Sequence, residues 1–516
     1  MFNNTQLKTR LIKIVIRAII LSFFISATGA MAGAKTIDTH KSMDTPLYAP
    51  TVESLSQHKK VPEWFKDAKL GIYFHWGVYS VPAYGGEWYP HWMYQHKAEG
   101  WGAGWKEYHE KTYGKNFDYH EFIPDFTGEQ FNATEWAQLF RRAGARFAGP
   151  VAQHHDGFAM WDSAVNPWNA KQMGPKKDIV GDILSAIQQQ NMKTITTFHH
   201  AFTVQSDKKN SYYLIDPDRA TGSQDPTLQK FYGNMELEEG RQYWLALCKE
   251  VIDKYTPDLL WFDSDLNRIP NNYLFKMTAH FFNASDKAGK ETAIIAKQND
   301  LPEQIKILDI EQGGVKHMPE DYWMTDITLS EPNYGWGYIE GQKYKTLDTL
   351  IKNMIDAWSK KGIVLLNVSP DKHGRINAEQ RALLADIGAW INTYKEAIYN
   401  TRSHTVFGYG DAEIVDGSHG GQAATIEYSE KDIRFTRSKD GKYLYIFVLG
   451  QVNEGTQLSI QHVLEGMSGK KIRRVEELGS RQKVQWALDK HLRITVPKTS
   501  PRNAIATVFK VTLGHL

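Results

Sequence analysis

The chain has 516 residues, of which 41% are hydrophobic and 23% are charged, the balance of an ordinary globular protein. This length predicts more than one domain once any targeting segment is removed. The formal net charge of only +2 gives no support for nucleic acid or an anionic membrane surface as a partner, and we expect neither.

The N-terminal segment has the pattern of a secretory signal peptide. Lysines and arginines at positions 8–17 precede an apolar stretch at 18–27, and small residues of the A-x-A type follow at 30–34. The apolar stretch is shorter than the about 20 residues that a membrane span needs, so we expect no membrane anchor. The pattern favours a signal peptide at residues 1–34 over a buried N-terminal helix. We therefore expect an exported protein, periplasmic or extracellular after cleavage, that begins with a polar lead-in arm at 35–60.

Apolar β-type runs alternate with helical patterns between residues 61 and 400. The clearest strand runs lie at 71–74, 145–152, 192–198, 258–262, 292–296 and 363–368, and the clearest helical patterns at 134–143, 179–190, 237–254 and 346–360. Alternation of this kind indicates parallel strands. Over this length it favours an α/β fold with a (β/α)8-like, TIM-type barrel over a Rossmann sheet, because no G-x-G-x-x-G motif follows the first strand.

The pattern changes after residue 400. Short β-rich runs separated by turn residues lie at 434–436, 443–449, 457–462, 471–477, 493–496 and 504–512. Such runs are typical of antiparallel sheets. We therefore expect the barrel at 61–400 to be followed by a C-terminal antiparallel β-sandwich domain at 401–516.

Polar and aromatic residues follow four of the predicted strands, where the working residues of a (β/α)8 barrel lie. These strand ends carry His75, with Glu87 and Trp88 in the loop beyond it, then His154 and His155, then His199 and His200, and finally Trp261 and Asp263. Histidines and a glutamate bond hydroxyl groups directionally, and a tryptophan stacks on the apolar face of a sugar ring. The set predicts a pocket for a small polyhydroxylated ligand rather than unrelated structural residues at four strand ends.

A metal site is the main alternative for the histidines, since barrel hydrolases often bind zinc through His and Asp. Neighbouring residues of a strand point to opposite faces, so His154 and His155 reach one metal only if the strand ends before them. The chain also has no H-x-H or H-E-x-x-H motif. We therefore expect no catalytic metal.

Hydrolysis of a glycoside needs two carboxyl groups, one as nucleophile or base and one as acid. Asp263 follows the apolar run 259–262 and is the stronger candidate for the first, whereas Asp265 lies further out in the loop. Glu311 ends a short β-like run and is our candidate for the acid. Sequence spacing does not exclude Glu303, Glu320 or Glu331.

At these residues the chain resembles glycoside hydrolase family 29, the α-L-fucosidases. The blocks that carry the resemblance are WFKDAKLGIYFHWG at 64–77, EWY at 87–89, HHDGF at 154–158, LWFD at 260–263, GWGY at 335–338 and LLNVSP at 365–370. They span most of the chain after the signal peptide. The resemblance implies a catalytic barrel followed by a β-sandwich, and retaining hydrolysis of terminal α-L-fucosyl groups by double displacement without a metal or organic cofactor. The substrate would be a fucosylated oligosaccharide or glycoconjugate.

The resemblance also assigns roles to residues. By position, Asp263 resembles the nucleophile of the family, and the residues that resemble its sugar-binding set are His75, Glu87, Trp88, His154, His155 and Trp336, the last of which would close the pocket. His200 stands where many relatives have tyrosine, and we expect it to take over a hydroxyl contact. Trp261 completes the predicted sugar-binding set. The acid/base position varies in the family, so Glu311 rests on its own strand-end position.

Two other functions remain open at this stage. L-Galactose differs from L-fucose by a hydroxyl at C6, and a hydrophobic pocket discriminates poorly against an added hydroxyl, so the enzyme could act on a related sugar such as an α-L-galactoside, or on sulfated fucose. A barrel that binds carbohydrate without cleaving it is the third interpretation, against which the position of Asp263 counts. The linkage and aglycone depend on loops, including 94–113 and 216–233, and the oligomeric state, a homo-oligomer included, is not determined.

Overall fold

A computed structural model of the chain describes residues 46–204, 212–412, 426–480, 482–498 and 503–515. The predicted signal peptide lies outside these residues. Eight parallel strands form a closed barrel in chain order, in which the first strand pairs with both the second and the eighth. The strands are β1 (Leu70–Phe74), β2 (Phe147–Gln153), β3 (Lys193–Phe198), β4 (Leu259–Phe262), β5 (Ala293–Lys297), β6 (Lys306–Asp309), β7 (Trp323–Thr328) and β8 (Gly362–Val368). The predicted TIM-type barrel is confirmed.

Helices precede and follow the strands and cover the barrel. They are α1 (Val52–Leu55), α2 (Glu63–Ala68), α3 (Tyr89–Trp92), α4 (Trp105–Thr112), α5 (Ala133–Arg142), α6 (Ile179–Gln189), α7 (Ala201–Val204), α8 (Pro226–Tyr232), α9 (Leu237–Tyr255), α10 (Asn271–Lys287), α11 (Leu347–Ser359) and α12 (Ala378–Ile398). Side-chain caps define where several of them begin. Asn132 accepts a bond from the backbone N–H of Glu135 at the start of α5, and Thr346 does the same for Thr349 at the start of α11. Among the described residues, no helix is both long enough and apolar enough to cross a membrane.

The barrel interior is filled by every second residue of its strands. Tyr73, Ile195 and Trp261 belong to this inner apolar cluster, whereas the residues between them pack outward against the helices. Side chains of a strand alternate between its two faces, so the inward face continues two residues at a time to the carboxyl end of the barrel. This register determines which side chains reach the open end.

The C-terminal part contains two antiparallel sheets, as the sequence predicts. The strands are β9 (Thr401–Tyr409), β10 (Ile433–Ser438), β11 (Tyr443–Val448), β12 (Gln457–Ile460), β13 (Lys470–Glu477), β14 (Gln485–Leu488), β15 (Leu492–Thr495) and β16 (Thr507–His515). One sheet has the order β13-β16-β11-β10-β9 and the other the order β12-β15-β14. Phe435, Ile446 and Leu492 are buried in the apolar cluster that the two sheets share.

The opposite face of the larger sheet packs against the barrel. Phe447 and Val508 belong to the apolar cluster of the barrel helices. Arg434 on β10 donates from Nε to the Asp356 carboxylate on α11 at 2.6 Å, and Lys360 binds the same carboxylate at 2.8 Å. All three side chains are buried, so this ion pair fixes the sandwich to the barrel at one specific place.

Strand β7 (Trp323–Thr328) is not among the strands that the sequence pattern predicts. Its inward face carries Asp326 two residues after Met324, so a buried carboxylate interrupts the apolar run that marks the other strands. Strand β7 supplies residues that lie beneath the functional site. This explains why its sequence pattern departs from that of a strand that only packs in the core.

Candidate active site

A cavity of about 760 Å³ opens at the carboxyl end of the barrel. Its buried inner wall is formed by Tyr73, His75, Glu87, Trp88, His154, His155, His199, Asp263, Lys297, Glu311 and Asp326. Its outer wall includes Trp101, Ser264, Asp265, Gln312, Pro332, Asn333, Tyr334 and Trp336. The cavity therefore combines acids, imidazoles and aromatic faces in one place.

Asp263, directly after β4, is held by three positively polarised groups. Lys297 Nζ lies 2.9 Å from Oδ1, His199 Nδ1 lies 2.9 Å from Oδ2, and His155 Nε2 lies 3.4 Å from Oδ2. Burial by itself would raise the pKa of this carboxyl, but the charge of Lys297 and the contacts with the two histidines hold it well below its ordinary value. Asp263 is therefore a carboxylate at neutral pH.

Glu311 lies two residues beyond β6 and faces the same ammonium group. Lys297 Nζ is 2.7 Å from Oε2 of Glu311, whose side chain is only 12% exposed. Lys297 thus bridges Asp263 and Glu311. Of the rival acids, Glu303, Glu320 and Glu331 do not line the cavity, and Asp265 lies on its outer wall.

Lys297 also stands above a pair of buried acids that the sequence analysis does not single out. Its Nζ lies 3.6 Å from Asp326, whose carboxyl accepts a 3.0 Å bond from the Tyr73 hydroxyl and is hydrogen-bonded to Asp309. Burial raises the pKa of both Asp309 and Asp326, so the pair retains a proton. Burial would lower the pKa of Lys297, but Asp263, Asp326 and Glu311 together raise it well above its ordinary value. Lys297 therefore remains an ammonium ion.

Three histidine rings meet at the base of the cavity. The ring centroids of His75 and His154 are 5.5 Å apart, and those of His154 and His199 are 4.4 Å apart. Burial lowers the pKa of all three imidazoles, so they are neutral near pH 7. Asn367 fixes the first ring by accepting from its Nδ1 at 2.8 Å. A neutral imidazole has one N–H, which His75 gives to Asn367 and His199 gives to Asp263, so the Nε2 of each of these two rings can accept from a hydroxyl.

The same rings satisfy part of the geometry of a metal site. His75, His154 and His199 offer ligand atoms within 4.8 Å of one another, and so do His155, His199 and Asp263. In the second set, however, the Asp263 oxygen already bonds His199 directly. The arrangement fits directional contacts to hydroxyl groups without any ion.

Glu87 connects the first barrel loop to the loop that carries Trp336. Its Oε2 accepts from the backbone N–H of Trp336 at 2.7 Å and of Gly337 at 2.9 Å. Burial raises the pKa of Glu87 to about 7, against the opposing effect of these two bonds. A Cβ at Gly335 would lie 2.6 Å from the same oxygen, which explains the glycine there. Both loops are therefore held at a fixed distance across the cavity.

Two predicted sugar-binding residues lie elsewhere. His200 is fully buried on the outer side of β3, where its Nε2 lies 4.0 Å from Cys248 Sγ and its ring stacks on Trp244. His199 occupies the cavity instead, because the inward register of β3 runs through Ile195 and reaches 199, not 200. Trp261 lies one layer below the cavity, where its ring contacts His199 at 5.1 Å between centroids. The prediction that His200 and Trp261 contact a sugar is therefore corrected. Both lie outside the cavity lining, in positions that support it.

The remaining predicted residues come together. His75, Glu87, Trp88, His154, His155, Asp263, Glu311 and Trp336 all line the cavity. His154 and His155 both reach it because β2 ends at Gln153, before either of them. The residues that the sequence analysis missed, Lys297 and Asp326, lie on the inward face two residues beyond Ile295 and Met324. Period-two counting places both positions on the inward face of their strands, although it does not show that a charge is buried there.

The chain is similar to proteins of known activity along most of its length. A family model described as alpha-L-fucosidase matches residues 35–396. The tissue alpha-L-fucosidase of Bos taurus is 26% identical over 523 residues, which cover 96% of this chain and 97% of that protein. The tissue alpha-L-fucosidase of Rattus norvegicus is 29% identical over 365 residues, 69% of this chain and 73% of that protein.

Solved structures show the same similarity. The Thermotoga maritima alpha-fucosidase in complex with fucose superposes with a TM-score of 0.70 at 26% identity, and the match covers 90% of this chain and 100% of that one. A Bacteroides thetaiotaomicron alpha-L-fucosidase shares the fold at a TM-score of 0.62 and 20% identity, over 89% of this chain and 96% of that one.

Proposed function

The chain belongs to the α-L-fucosidase family and is a glycoside hydrolase of that type, and from this premise we propose that it releases terminal α-L-fucosyl groups from fucosylated glycans with retention of configuration. The observation that carries the proposal is the pairing of Asp263 and Glu311 across Lys297 in the histidine-lined cavity. A barrel that only binds sugar would not need two carboxyl groups converging on one point.

The spacing of the two acids supports retention. Their nearest carboxylate oxygens lie 2.9 and 2.7 Å from the same ammonium nitrogen, so these oxygens cannot be further apart than the two distances combined. That limit is close to the roughly 5–5.5 Å of retaining glycosidases and below the roughly 6.5–9.5 Å of inverting enzymes, which must fit a water molecule between the acids.

In the first step of the proposed reaction, an oxygen of Asp263 forms a bond to the anomeric carbon of the fucosyl group. The bond between that carbon and the leaving oxygen breaks as protonated Glu311 donates its proton to that oxygen. In the second step Glu311 takes a proton from water, the water oxygen attacks the anomeric carbon, and Asp263 leaves as a carboxylate. Glu311 has then regained its proton.

Lys297 lies between the two acids that take part in these steps. In the free enzyme its ammonium is shared between Asp263 and Glu311. When Asp263 becomes an ester it no longer carries a charge, so the ammonium of Lys297 then faces Glu311 as its nearest charged partner in the proposed pair. Lys297 therefore contacts both proposed catalytic groups.

Charge on the cavity wall favours a neutral sugar over a sulfated one. Within the described part of the chain, Lys297 is the only lysine or arginine that lines the cavity, and the side chains of Asp263 and Glu311 already contact its ammonium. A sulfate group would therefore meet acids without a free cation to bind it. The α-L-galactoside alternative is separated from the proposal by assay, since the two sugars differ by one hydroxyl.

The proposal is tested by azide rescue of an Asp263→Ala variant. On an aryl α-L-fucoside we expect turnover to fall by at least a thousandfold, and added azide to restore cleavage with formation of a fucosyl azide of inverted configuration. Near wild-type turnover in the variant, or no cleavage of any aryl α-L-fucoside by the wild-type enzyme, would overturn the proposal. Preference for the aryl α-L-galactoside would reassign the substrate.

We also propose that the protein is exported. The basic, apolar and small-residue sequence at positions 1–34 supports this location. N-terminal sequencing of the protein recovered from the periplasmic and external fractions tests it. An intact N-terminus in the cytoplasmic fraction alone would contradict export.

A further inference from the structure

The cavity is larger than the pocket for the fucosyl group requires. Its volume of about 760 Å³ is several times that of one deoxyhexose ring and lies within the range of sites for ligands of several rings. The histidines and catalytic acids occupy only its buried inner wall. The outer wall is continuous with the inner one, and its residues have no role in the reaction steps proposed above.

Trp101 is the main apolar feature of that outer wall. It is 50% exposed, although a tryptophan is normally found largely buried. Its ring is nevertheless held in place by edge contacts with the rings of Trp88 at 5.6 Å, Trp92 at 5.9 Å and Trp105 at 5.8 Å between centroids. An indole that is fixed by its neighbours and still exposes half its surface beside a sugar pocket is suited to stacking on a second ring.

The loop that carries Trp101 is built around this arrangement. Gly102 has a φ of +91°, and a Cβ there would lie 2.4 Å from the ring of Trp92. The glycine therefore lets the chain pass close over one indole while it presents the next to the cavity. The position of Trp101 follows from local packing rather than from an unstructured surface loop.

Polar groups that line the same cavity can bond the hydroxyls of a second ring. Ser264 and Asp265 follow the nucleophile directly, and Asn333 stands on the loop that is tied to Glu87. Asp265 is partly exposed and pairs with Arg268 at 3.2 Å, so the wall carries no free positive charge from that arginine. An indole face beside hydroxyl and carboxylate groups fits a neutral pyranose and opposes an anionic one.

We propose that Trp101, together with polar groups that line the same cavity, forms an acceptor subsite, which binds the neutral pyranose ring to which the fucosyl group is attached. This inference rests on the proposed function and names its preferred substrates as fucosyl oligosaccharides whose next ring is an uncharged hexose or N-acetylhexosamine. The subsite contributes binding energy to glycans and none to a fucosyl donor that lacks a second ring.

The test compares two substrates on a Trp101→Ala variant. The first is α-L-fucosyl fluoride, whose leaving group is a single atom, and the second is an α-L-fucosyl-(1→2)-galactose disaccharide. We expect kcat/KM to fall about tenfold or more on the disaccharide and to stay within about twofold on the fluoride. Trp101→Phe should recover part of the loss because it restores an aromatic face.

Leu488→Ala serves as the matched control, since Leu488 is 44% exposed on the small sheet and does not line the cavity. Leu488→Ala should leave kcat/KM unchanged on both substrates. If Trp101→Ala loses the same factor in kcat/KM on both substrates, Trp101 acts through Trp88 or through stability. If the variant keeps wild-type kcat/KM on both substrates, Trp101 does not contact the acceptor. Either result overturns the subsite. If the wild-type enzyme cleaves neither substrate, the proposed function fails instead, so the two failures are distinct.

Discussion

The ammonium nitrogen of Lys297 lies 2.9 Å from Oδ1 of Asp263, and no other lysine or arginine among the described residues lines the cavity. This contact opposes the effect of burial, which by itself would raise the pKa of Asp263. It therefore keeps Asp263, the proposed nucleophile, ionised in a site where a carboxylate would otherwise take up a proton.

Replacing Lys297 by Met should move the acid limb of the pH profile to higher pH. Without the ammonium, burial has more effect and the pKa of Asp263 rises, so a larger fraction of Asp263 is protonated at a given acidic pH. We expect kcat/KM on an aryl α-L-fucoside to fall by about a hundredfold at pH 7 and the acid limb to shift upward by at least one pH unit.

Lys297→Arg is the matched variant, since it preserves the charge but not the shape of the donor. It should keep the acid limb near its original position while losing part of the rate. An unchanged acid limb in Lys297→Met would show that Lys297 does not control the ionisation of Asp263.

Replacing Glu311 by Ala should slow the enzyme by a factor that depends on the leaving group of the substrate. A leaving group that departs without a proton bypasses the acid step, so activated aryl fucosides should lose much less rate than a disaccharide, whose oxygen needs protonation. Comparison of kcat/KM on a 2,4-dinitrophenyl fucoside and on the disaccharide measures the difference, which we expect to exceed a hundredfold.

Glu331→Ala provides the control because Glu331 is a rival acid by sequence that lies off the cavity. Its losses should be small and equal on both substrates. A leaving-group effect in Glu331→Ala that is absent from Glu311→Ala would transfer the acid/base role.

The predictability of this site depends on the register of the strands. Asp263 could be identified from the sequence because the apolar run of β4 ends directly before it, which indicates a residue at the carboxyl end of a strand. His199 and His200 stand side by side, and only the parity of the inward positions along β3 selects His199. Position at a strand end was therefore not sufficient without counting faces.

Lys297 and Asp326 show why the rest could not be read from composition. Each is a charged residue in a strand, and a charge in a strand normally indicates a solvent-facing position. Here each is buried, and the two lie 3.6 Å apart although β6 separates their strands. Burial of a charge against a partner from a distant strand depends on tertiary structure, which the local pattern does not encode.

Replacing Glu87 by Gln should change the pH dependence of stability. The folded-state pKa of about 7 is above the model-peptide value near 4.5, so the folded protein binds a proton more tightly than the unfolded chain does. The stabilisation is present in full below about pH 4.5 and is lost as the pH rises toward 7, for a total of about 3 kcal/mol. The glutamine amide of Glu87→Gln does not titrate, so this variant has no such loss of stability with rising pH.

We therefore expect Glu87→Gln to gain stability relative to the wild type between pH 5 and pH 8, as measured by denaturant unfolding at both values. Its amide oxygen can still accept from the backbone N–H groups of Trp336 and Gly337. A stability difference between the two proteins that is independent of pH would show that Glu87 does not titrate in this range.

Lys69 offers the opposite case, a buried cation at the amino end of β1. It is fully buried, and its ammonium has no hydrogen-bond partner among the described residues. Burial is the main cause that lowers its pKa from 10.5 to about 7. A base whose folded-state pKa is depressed binds protons more tightly when unfolded, so its cost is largest below about pH 7 and disappears as the pH rises to about 10.5.

Lys69→Met should consequently raise the unfolding temperature, most at or below pH 7 and progressively less toward pH 10, because it removes the cost of burying the charge while keeping a side chain of similar length. Lys343→Met, at an exposed position, should leave the unfolding temperature within about one degree at every pH. If Lys69→Met destabilises the protein and the difference does not diminish with rising pH, the ammonium has a bonding partner in solution, and its burial is compensated rather than costly.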